Sequence, residues 1–423
     1  MKLRQTTIEK ILALAFFAAG VLLFLSGCTK VDAPSLYDQN YKGSPQPIVD
    51  SLSPAGSALA GIDTITIYGK NFSADKANDG IYFNATLLYN TSIISASPTK
   101  LVVKAPAISG DTIQVRVYVV GAENFSPTIT YKLIAAVSPF SKLASGESAY
   151  GLCIGPDDSL YASLFNANLS VKDEGIFKIT SDGTINRTAY VLPTTSPINS
   201  YWGSIKFGPD GNIYALNGKR IVYQLVPGAT NPGGATAHWI SSFSPAATSF
   251  NDLDFDANNN LWVGGNNQAI YRVNINDKST KSFPFVGNVR AMRCFNGYLY
   301  FAATVSGANK VFRAPIVGDS LGNIETYFDI STAYTGTPPN ILAITFSAEG
   351  DMYVGTDAAD FLIIVGSNGS VERPYPLYVS SGVLTSACKS FAWVGTTLYA
   401  STSGGGLLKI APQKQGSTNY GLH

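Results

Sequence analysis

Histidine is nearly missing: the 423 residues contain two, His238 and His423. A metal centre or acid–base site built on imidazoles needs several at set spacings, so that chemistry is hard to assemble here. Charge is scarce as well. Only 13% of residues are charged, about half the usual share of roughly 25%. Lys and Arg number 29 against 28 Asp and Glu, for a net charge of +1. No basic excess exists to follow a phosphate backbone, which excludes a nucleic-acid partner. Beyond Cys28 in the N-terminal stretch three cysteines remain, and an odd number without a CxxC spacing argues against a metal knuckle and a disulfide framework. What the chain does have is apolar and turn-forming: 45% hydrophobic residues, 23 Tyr, 22 Phe, 40 Gly and 22 Pro. That composition excludes disorder and implies β-structure with many turns.

The single long apolar run is N-terminal. Lys2, Arg4 and Lys10 precede a stretch from Ile11 to Leu25. Those residues as a helix, at about 1.5 Å each, fall short of a hydrocarbon core roughly 30 Å thick. The stretch therefore reads as the apolar region of a signal peptide over residues 1–27. It ends in Leu25-Ser26-Gly27-Cys28, which resembles the bacterial lipoprotein lipobox. The resemblance implies cleavage before Cys28, lipidation of its thiol and amine, and a membrane anchor. Thr29 rather than Asp follows the cysteine, which in that family implies the outer membrane. An outward, cell-surface orientation is the expectation, with a periplasm-facing one left open. Residues 28–46 are polar and turn-rich and read as a flexible tether. Cys153, Cys294 and Cys388 have apolar neighbours and read as buried hydrophobes, with a Cys153–Cys388 bridge left open.

Residues 47–133 alternate as half-buried strands do. Ile65 and Ile67 keep a period of two, Ile81–Phe83, Leu101–Lys104 and Ile113–Val120 follow, and turn residues bracket each run. Short strands at this spacing predict an immunoglobulin-like β-sandwich. The opening from Pro47 to Gly56, then Gly61 and Ile65-Thr66-Ile67-Tyr68-Gly69-Lys70-Asn71-Phe72, resembles an IPT/TIG domain. That resemblance implies the fold and a spacer role more than a chemistry.

The rest of the chain repeats. An aromatic residue follows a turn and an aliphatic residue at Tyr161, Tyr214, Trp262, Tyr300, Tyr353 and Tyr399, at intervals of 38–53 residues. That is the length of a propeller blade. Third strands follow at 175–179, 221–225, 270–273, 311–313 and 407–410. The sixth copy lacks a fourth strand, while residues 137–143 supply an unclaimed one before the first copy. An open blade would expose unpaired N–H and C=O groups, so that segment should complete blade six. The expectation is an all-β chain: the sandwich, a six-bladed β-propeller over 137–413, and a C-terminal tail over 414–423. The phrase Gly208-Pro209-Asp210-Gly211-Asn212-Ile213-Tyr214 resembles NHL-repeat and gluconolactonase-like six-bladed propellers.

Propeller ligands normally sit where loops lead into the innermost strands. Tyr150, Tyr201, Trp202, Phe250 and Asn251 lie there, with Asn199, Arg290 and Asn340 as polar neighbours. Flat rings beside amides suit sugars, and Trp202 is the expected stacking platform. Asp252, Asp254 and Asp256 alternate in one strand, and Arg290 and Arg293 occupy comparable places in the next copy. They read as an inter-blade ion pair rather than a catalytic carboxylate pair. Asp256, Asn258 and Asn260 mimic a calcium loop, yet Leu261 stands where its Gly would be, so the stretch reads as a hairpin turn. The expected function is a non-catalytic surface lipoprotein that binds an extracellular ligand, foremost a glycan or other polymer, without cofactor or metal. The alternatives are a propeller lyase or hydrolase, implied by the fold resemblance, and a scaffold for outer-membrane protein partners.

Overall fold

The computed structural model describes residues 43–169, 172–188, 202–227, 238–374, 384 and 386–422. The leader, Cys28, most of the tether, Asn199 and Tyr201 lie outside the described residues. Within them the chain is strands joined by turns, with a few single-turn 3-10 helices.

The first module is a two-sheet sandwich. One sheet runs Ile48–Ser53, Thr64–Lys70, Lys100–Lys104, Ile93–Ser97. The other runs Ser57–Ala60, Ile129–Ala135, Gly110–Val119, Asp79–Phe83, Thr86–Tyr89. The period-two pattern sends Ile65, Ile67, Leu101, Val103, Val115 and Val117 into a shared core while Thr64 and Tyr68 face solvent. Ile129–Ala135 leads directly through Ala136 into the strand Val137–Pro139 of the second module. Leu59 of the sandwich, Ala136 and Val137 share a core cluster with Leu398, Leu408 and Ile410. Gln413 Nε2 donates to the Asp63 carboxylate across the same junction. The two modules are thus packed together.

The second module is a ring of six antiparallel blades, two of which are continuous in one eight-stranded sheet. Its innermost strands are Glu147–Ile154, Ser204–Phe207, Asp252–Phe255, the latter half of Thr280–Phe295, Ile341–Phe346 and Cys388–Val394. Each lies against the next, and Cys388–Val394 returns to Glu147–Ile154, so the ring closes. Thr280–Phe295 is long enough to serve both as the outer strand of blade three and the inner strand of blade four. Closure occurs where expected. Val137, Ser138 and Pro139 pair antiparallel with Ile410, Lys409 and Leu408, completing blade six with an N-terminal strand. The paired strand is shorter than residues 137–143, because Lys142 turns away to hydrogen-bond Gly183 O in the first blade.

The repeat phrase has a physical reading. Tyr161 OH donates to Asp157 Oδ2, Tyr214 OH to Asp210 Oδ2, and Trp262 Nε1 to Asp256 Oδ2. The turn carboxylate thus anchors the polar tip of the following aromatic ring, whose body fills the space between blades. A side chain at Gly155 would stand 2.3 Å from the Tyr161 ring, and one at Gly208 2.4 Å from Tyr214. Glycine there lets the ring lie flat on the turn. Asp256 also accepts from the backbone N–H groups of Asn258 and Asn260, so that segment is a hairpin turn, as its sequence indicates.

The C-terminal tail crosses the lower opening of the ring, where the innermost strands end. Gly416 N donates to Gly395 O, Ser417 N to Phe346 O, and Gly421 packs against Phe207 O. Lys414 pairs with Asp351. The upper opening, where the innermost strands begin, is the end at which sequence placed the candidate site.

Candidate functional site

Two aromatic residues expected at the upper mouth are core. Trp202 is 2% exposed and meets Tyr223 edge-on at 4.9 Å, inside the cluster between blades one and two. Phe250 is fully buried against Phe243 and Tyr271. The physical reason is the wedge shape of a propeller: neighbouring sheets diverge away from the axis, and large rings fill the gap. Neither ring is presented to a ligand, which corrects the expectation for both. Asn340 gives its N–H and Nδ2 to the Asp357 carboxylate. Asn251 does line the mouth, and Tyr150 stands beside it against Lys389, with Phe165 edge-on at 5.9 Å.

What builds the mouth is a set of β-bulges. The register slips between Ala149 and Leu152, Val289 and Ala291, Ile341 and Ala343, and Cys388 and Ser390. Each slip falls near the upper end of an innermost strand, and together they leave Tyr150 with Gly151, Arg290, Leu342 and Lys389 outside the ladder. A bulge re-aims the side chain it frees. Arg290, Leu342 and Lys389 line one cavity on the axis, and Lys389 Nζ sits 3.7 Å above the Tyr150 ring. The second and third blades keep a regular register there, and their inner strands contribute Lys206 and Asp252.

The site has two parts. The outer part is a cleft of about 390 Å³ lined by Ser249, Asn251, Asn266, Asn288, Arg290 and Leu342, within the range typical of ligand pockets. Asn251, Arg290 and Leu342 also line the inner part, a throat of about 30 Å³. Asn251 Nδ2 donates to Asn288 Oδ1 and Val289 O, which fixes the amides of adjacent blades relative to each other.

The throat is cationic. Lys206, Arg290, Arg293 and Lys389 line it against one carboxylate, Asp252. Asp252 is held by Ser204 Oγ at 2.5 Å, Met292 N at 2.7 Å and Leu253 N. Burial pushes its carboxyl above the ordinary range, opposed by the nearby Lys206 ammonium. Below it, Arg293 Nη1 donates to Asp254 Oδ1 at 3.1 Å, with side chains 8% and 9% exposed, while Cys294 N donates to Asp254 Oδ2 at 2.8 Å. This is the inter-blade pair the sequence implied. Lys206 is half-buried and enclosed by the ring; burial first, then the Arg293 charge, lowers its ammonium from the ordinary lysine value. Burial lowers Lys389 likewise. Among the described residues neither Lys206 nor Arg290 makes an ion pair within 4 Å, and Arg290 gives its Nε–H to Thr304 Oγ1.

Cys153, Cys294 and Cys388 are free and buried, so the bridge left open by sequence is not formed. Burial pushes the Cys153 thiol up to about 12, which makes it inert at neutral pH. Among the described residues no cluster of His, Cys, Asp and Glu is arranged to hold a metal. Sequence reasoning missed Lys206, Lys389, Asn266 and Asn288. A signal existed for Lys206, a lone charge inside Ser204-Ile205-Lys206-Phe207 on a strand buried on both faces. Bulged positions such as Lys389 carry no compositional mark.

Comparison with known proteins assigns the first module. The IPT/TIG domain family matches residues 47–132. No curated protein matches the sequence. Among solved structures, a Bacteroides thetaiotaomicron protein provisionally termed a phosphatase is 12% identical, with a TM-score of 0.52, covering 89% of this chain and 98% of its own. An auxiliary nutrient binding protein from the same organism is 11% identical, with a TM-score of 0.45 and coverage of 88% and 98%. A gluconolactonase from Xanthomonas campestris is 10% identical, with a TM-score of 0.47 and coverage of 72% and 91%. At these identities the similarity concerns fold alone.

Proposed function

We propose that the chain is a lipid-anchored protein of the bacterial outer membrane, facing outward, which holds an extracellular glycan at the upper mouth of its propeller without transforming it. The observation that carries the binding reading is the set of four bulges, three of which turn Arg290, Leu342 and Lys389 toward one axial opening beside an amide-lined cleft while the fourth sets Tyr150 against Lys389. Ladder hydrogen bonds are given up at each bulge, and a ring stabilised for packing alone gains nothing from that. Amides offer both donors and acceptors to sugar hydroxyls, while the Tyr150 ring offers an apolar face. The packed junction between modules makes the IPT/TIG-like sandwich a stiff spacer, and the tether from Cys28 supplies the slack.

Two measurements test this reading. Cys28→Ala should move the protein from the membrane fraction to the soluble fraction, and protease treatment of intact cells should cleave the anchored protein. Retention of the variant in the membrane would show that another anchor exists. For binding, titration calorimetry with a panel of oligosaccharides should find a ligand whose affinity falls about tenfold or more in Tyr150→Ala, by analogy with lost aromatic stacking. A panel without any binder, or an unchanged affinity at an unchanged melting temperature, would remove the mouth as the glycan site.

A further inference from the structure

The composition of the throat goes beyond a general affinity for sugars. We propose that the ligand carries an oxyanion group, a carboxylate or a sulfate ester, which enters the throat between Lys206, Arg290 and Lys389 while its hydroxyls remain in the amide-lined cleft. The inference rests on the reading of the mouth as the ligand site. Four cations against one carboxylate in so small a space is a concentration of charge that the chain as a whole, at +1, does not share. Adding Asp254, the next carboxylate down the axis, leaves the excess positive. Both carboxylates are engaged by other donors: Asp252 by Ser204 Oγ and two backbone N–H groups, Asp254 by Arg293 and Cys294 N.

Unbalanced cations in an enclosed site repel one another, and that arrangement persists at a cost unless a counter-charge arrives. Lys206 carries part of that cost: burial first, then the Arg293 charge, disfavours its ammonium, and the Asp252 and Asp254 carboxylates only partly oppose them. An oxyanion offsets that cost by attraction, since its field acts across a low-dielectric gap. The geometry suits a planar or tetrahedral oxyanion: Arg290 spends Nε–H on Thr304 and can turn its two terminal nitrogens to paired oxygens, and the lysines act as point charges. The throat, about 30 Å³, is less than a tenth of the cleft of about 390 Å³, so a small charged group suits the first and a sugar ring the second. The shared residues Asn251, Arg290 and Leu342 make the two spaces continuous.

The test compares a galacturonic acid trimer, a sulfated galactose trimer and a neutral galactose trimer by calorimetry on the full chain in detergent. An acidic trimer should bind about tenfold or more tighter than the neutral one. That advantage should shrink as NaCl rises from about 50 to about 500 mM. Which acidic trimer prevails separates the carboxylate from the sulfate. Arg290→Gln and Lys389→Gln should each weaken the acidic trimer far more than the neutral one, erasing most of the advantage, and Lys104→Gln, on the sandwich surface, should leave it intact. Lys206→Met supplies an independent readout: acidic binding should fall while the melting temperature holds or rises, since a ligand-directed cation is a burden to the empty ring. Neutral binding without acidic preference overturns the inference and leaves the mouth reading standing. Acidic preference that survives Arg290→Gln and Lys389→Gln places the anion elsewhere and overturns it too. Absence of binding by all three, together with an empty wider panel, removes the mouth reading and this inference with it.

Discussion

Asp254→Ala should destabilise the propeller by about 3–5 kcal/mol, the usual cost of stripping one partner from a buried ion pair. The change leaves the Arg293 guanidinium in a throat already crowded by Lys206, Arg290 and Lys389, and it leaves Cys294 N without its acceptor. At roughly 2–4 °C per kcal/mol for a module of this size, the melting temperature should drop by roughly 10 °C. Arg293→Met should be costly for the converse reason, an unpaired carboxylate between blades three and four. The double variant Asp254→Leu/Arg293→Met separates charge from packing. Replacing a buried pair by apolar groups of similar volume is often close to neutral, so the double should recover most of the loss. Thermal melting of the three variants checks this. Single variants within about 1 kcal/mol of the parent would mean that channel water screens the pair, in the manner of surface bridges.

The blade count was legible because one physical requirement repeats: each second strand must send a large ring into an inter-blade wedge, and a turn carboxylate anchors the ring's polar tip where one is present. Tyr161, Tyr214, Trp262, Tyr300, Tyr353 and Tyr399 pair with Cys153, Lys206, Asp254, Arg293, Thr345 and Ala392 on the innermost strands. The aromatic repeat therefore marks one ring of equivalent positions about the axis. Strand closure was legible for a similar reason, since an unpaired edge on blade six had to be met from somewhere. The length of the closing strand was not, because the departure of Lys142 depends on a carbonyl of another blade. The site was legible only in part. Asn251 lines the mouth and Tyr150 stands beside it, but Arg290 and Lys389 owe their direction to bulges. Val289-Arg290-Ala291 and Cys388-Lys389-Ser390 look in sequence like ordinary strand alternation. A one-residue slip reverses the face a side chain occupies, and no residue type announces it.

Trp202→Ala should lower stability by about 3–5 kcal/mol, as expected for an indole removed from a packed core. The ring lies among Cys153, Tyr161, Ile205 and Tyr223, on the boundary between the first two blades. Its backbone carbonyl ties the same boundary, accepting from Ser163 Oγ at 2.8 Å and Gly151 N at 3.0 Å. Truncation leaves a cavity that the ring cannot collapse to fill, because six blades fix the spacing of any two. Trp202→Phe keeps an apolar ring in the wedge and should recover a large part of the loss. Oligosaccharide binding, measured well below the melting transition, should stay within about twofold of the parent, since the indole is 2% exposed and faces neither the cleft nor the throat. Melting and binding must be measured on the same preparation, because the two quantities answer opposite questions. A fall in affinity of about tenfold at an unchanged melting temperature would return Trp202 to the role that its place before an innermost strand suggests. A fall in melting temperature with binding preserved assigns the indole to the wedge, and leaves recognition to Tyr150, the amides and the cations that the bulges turn toward the axis.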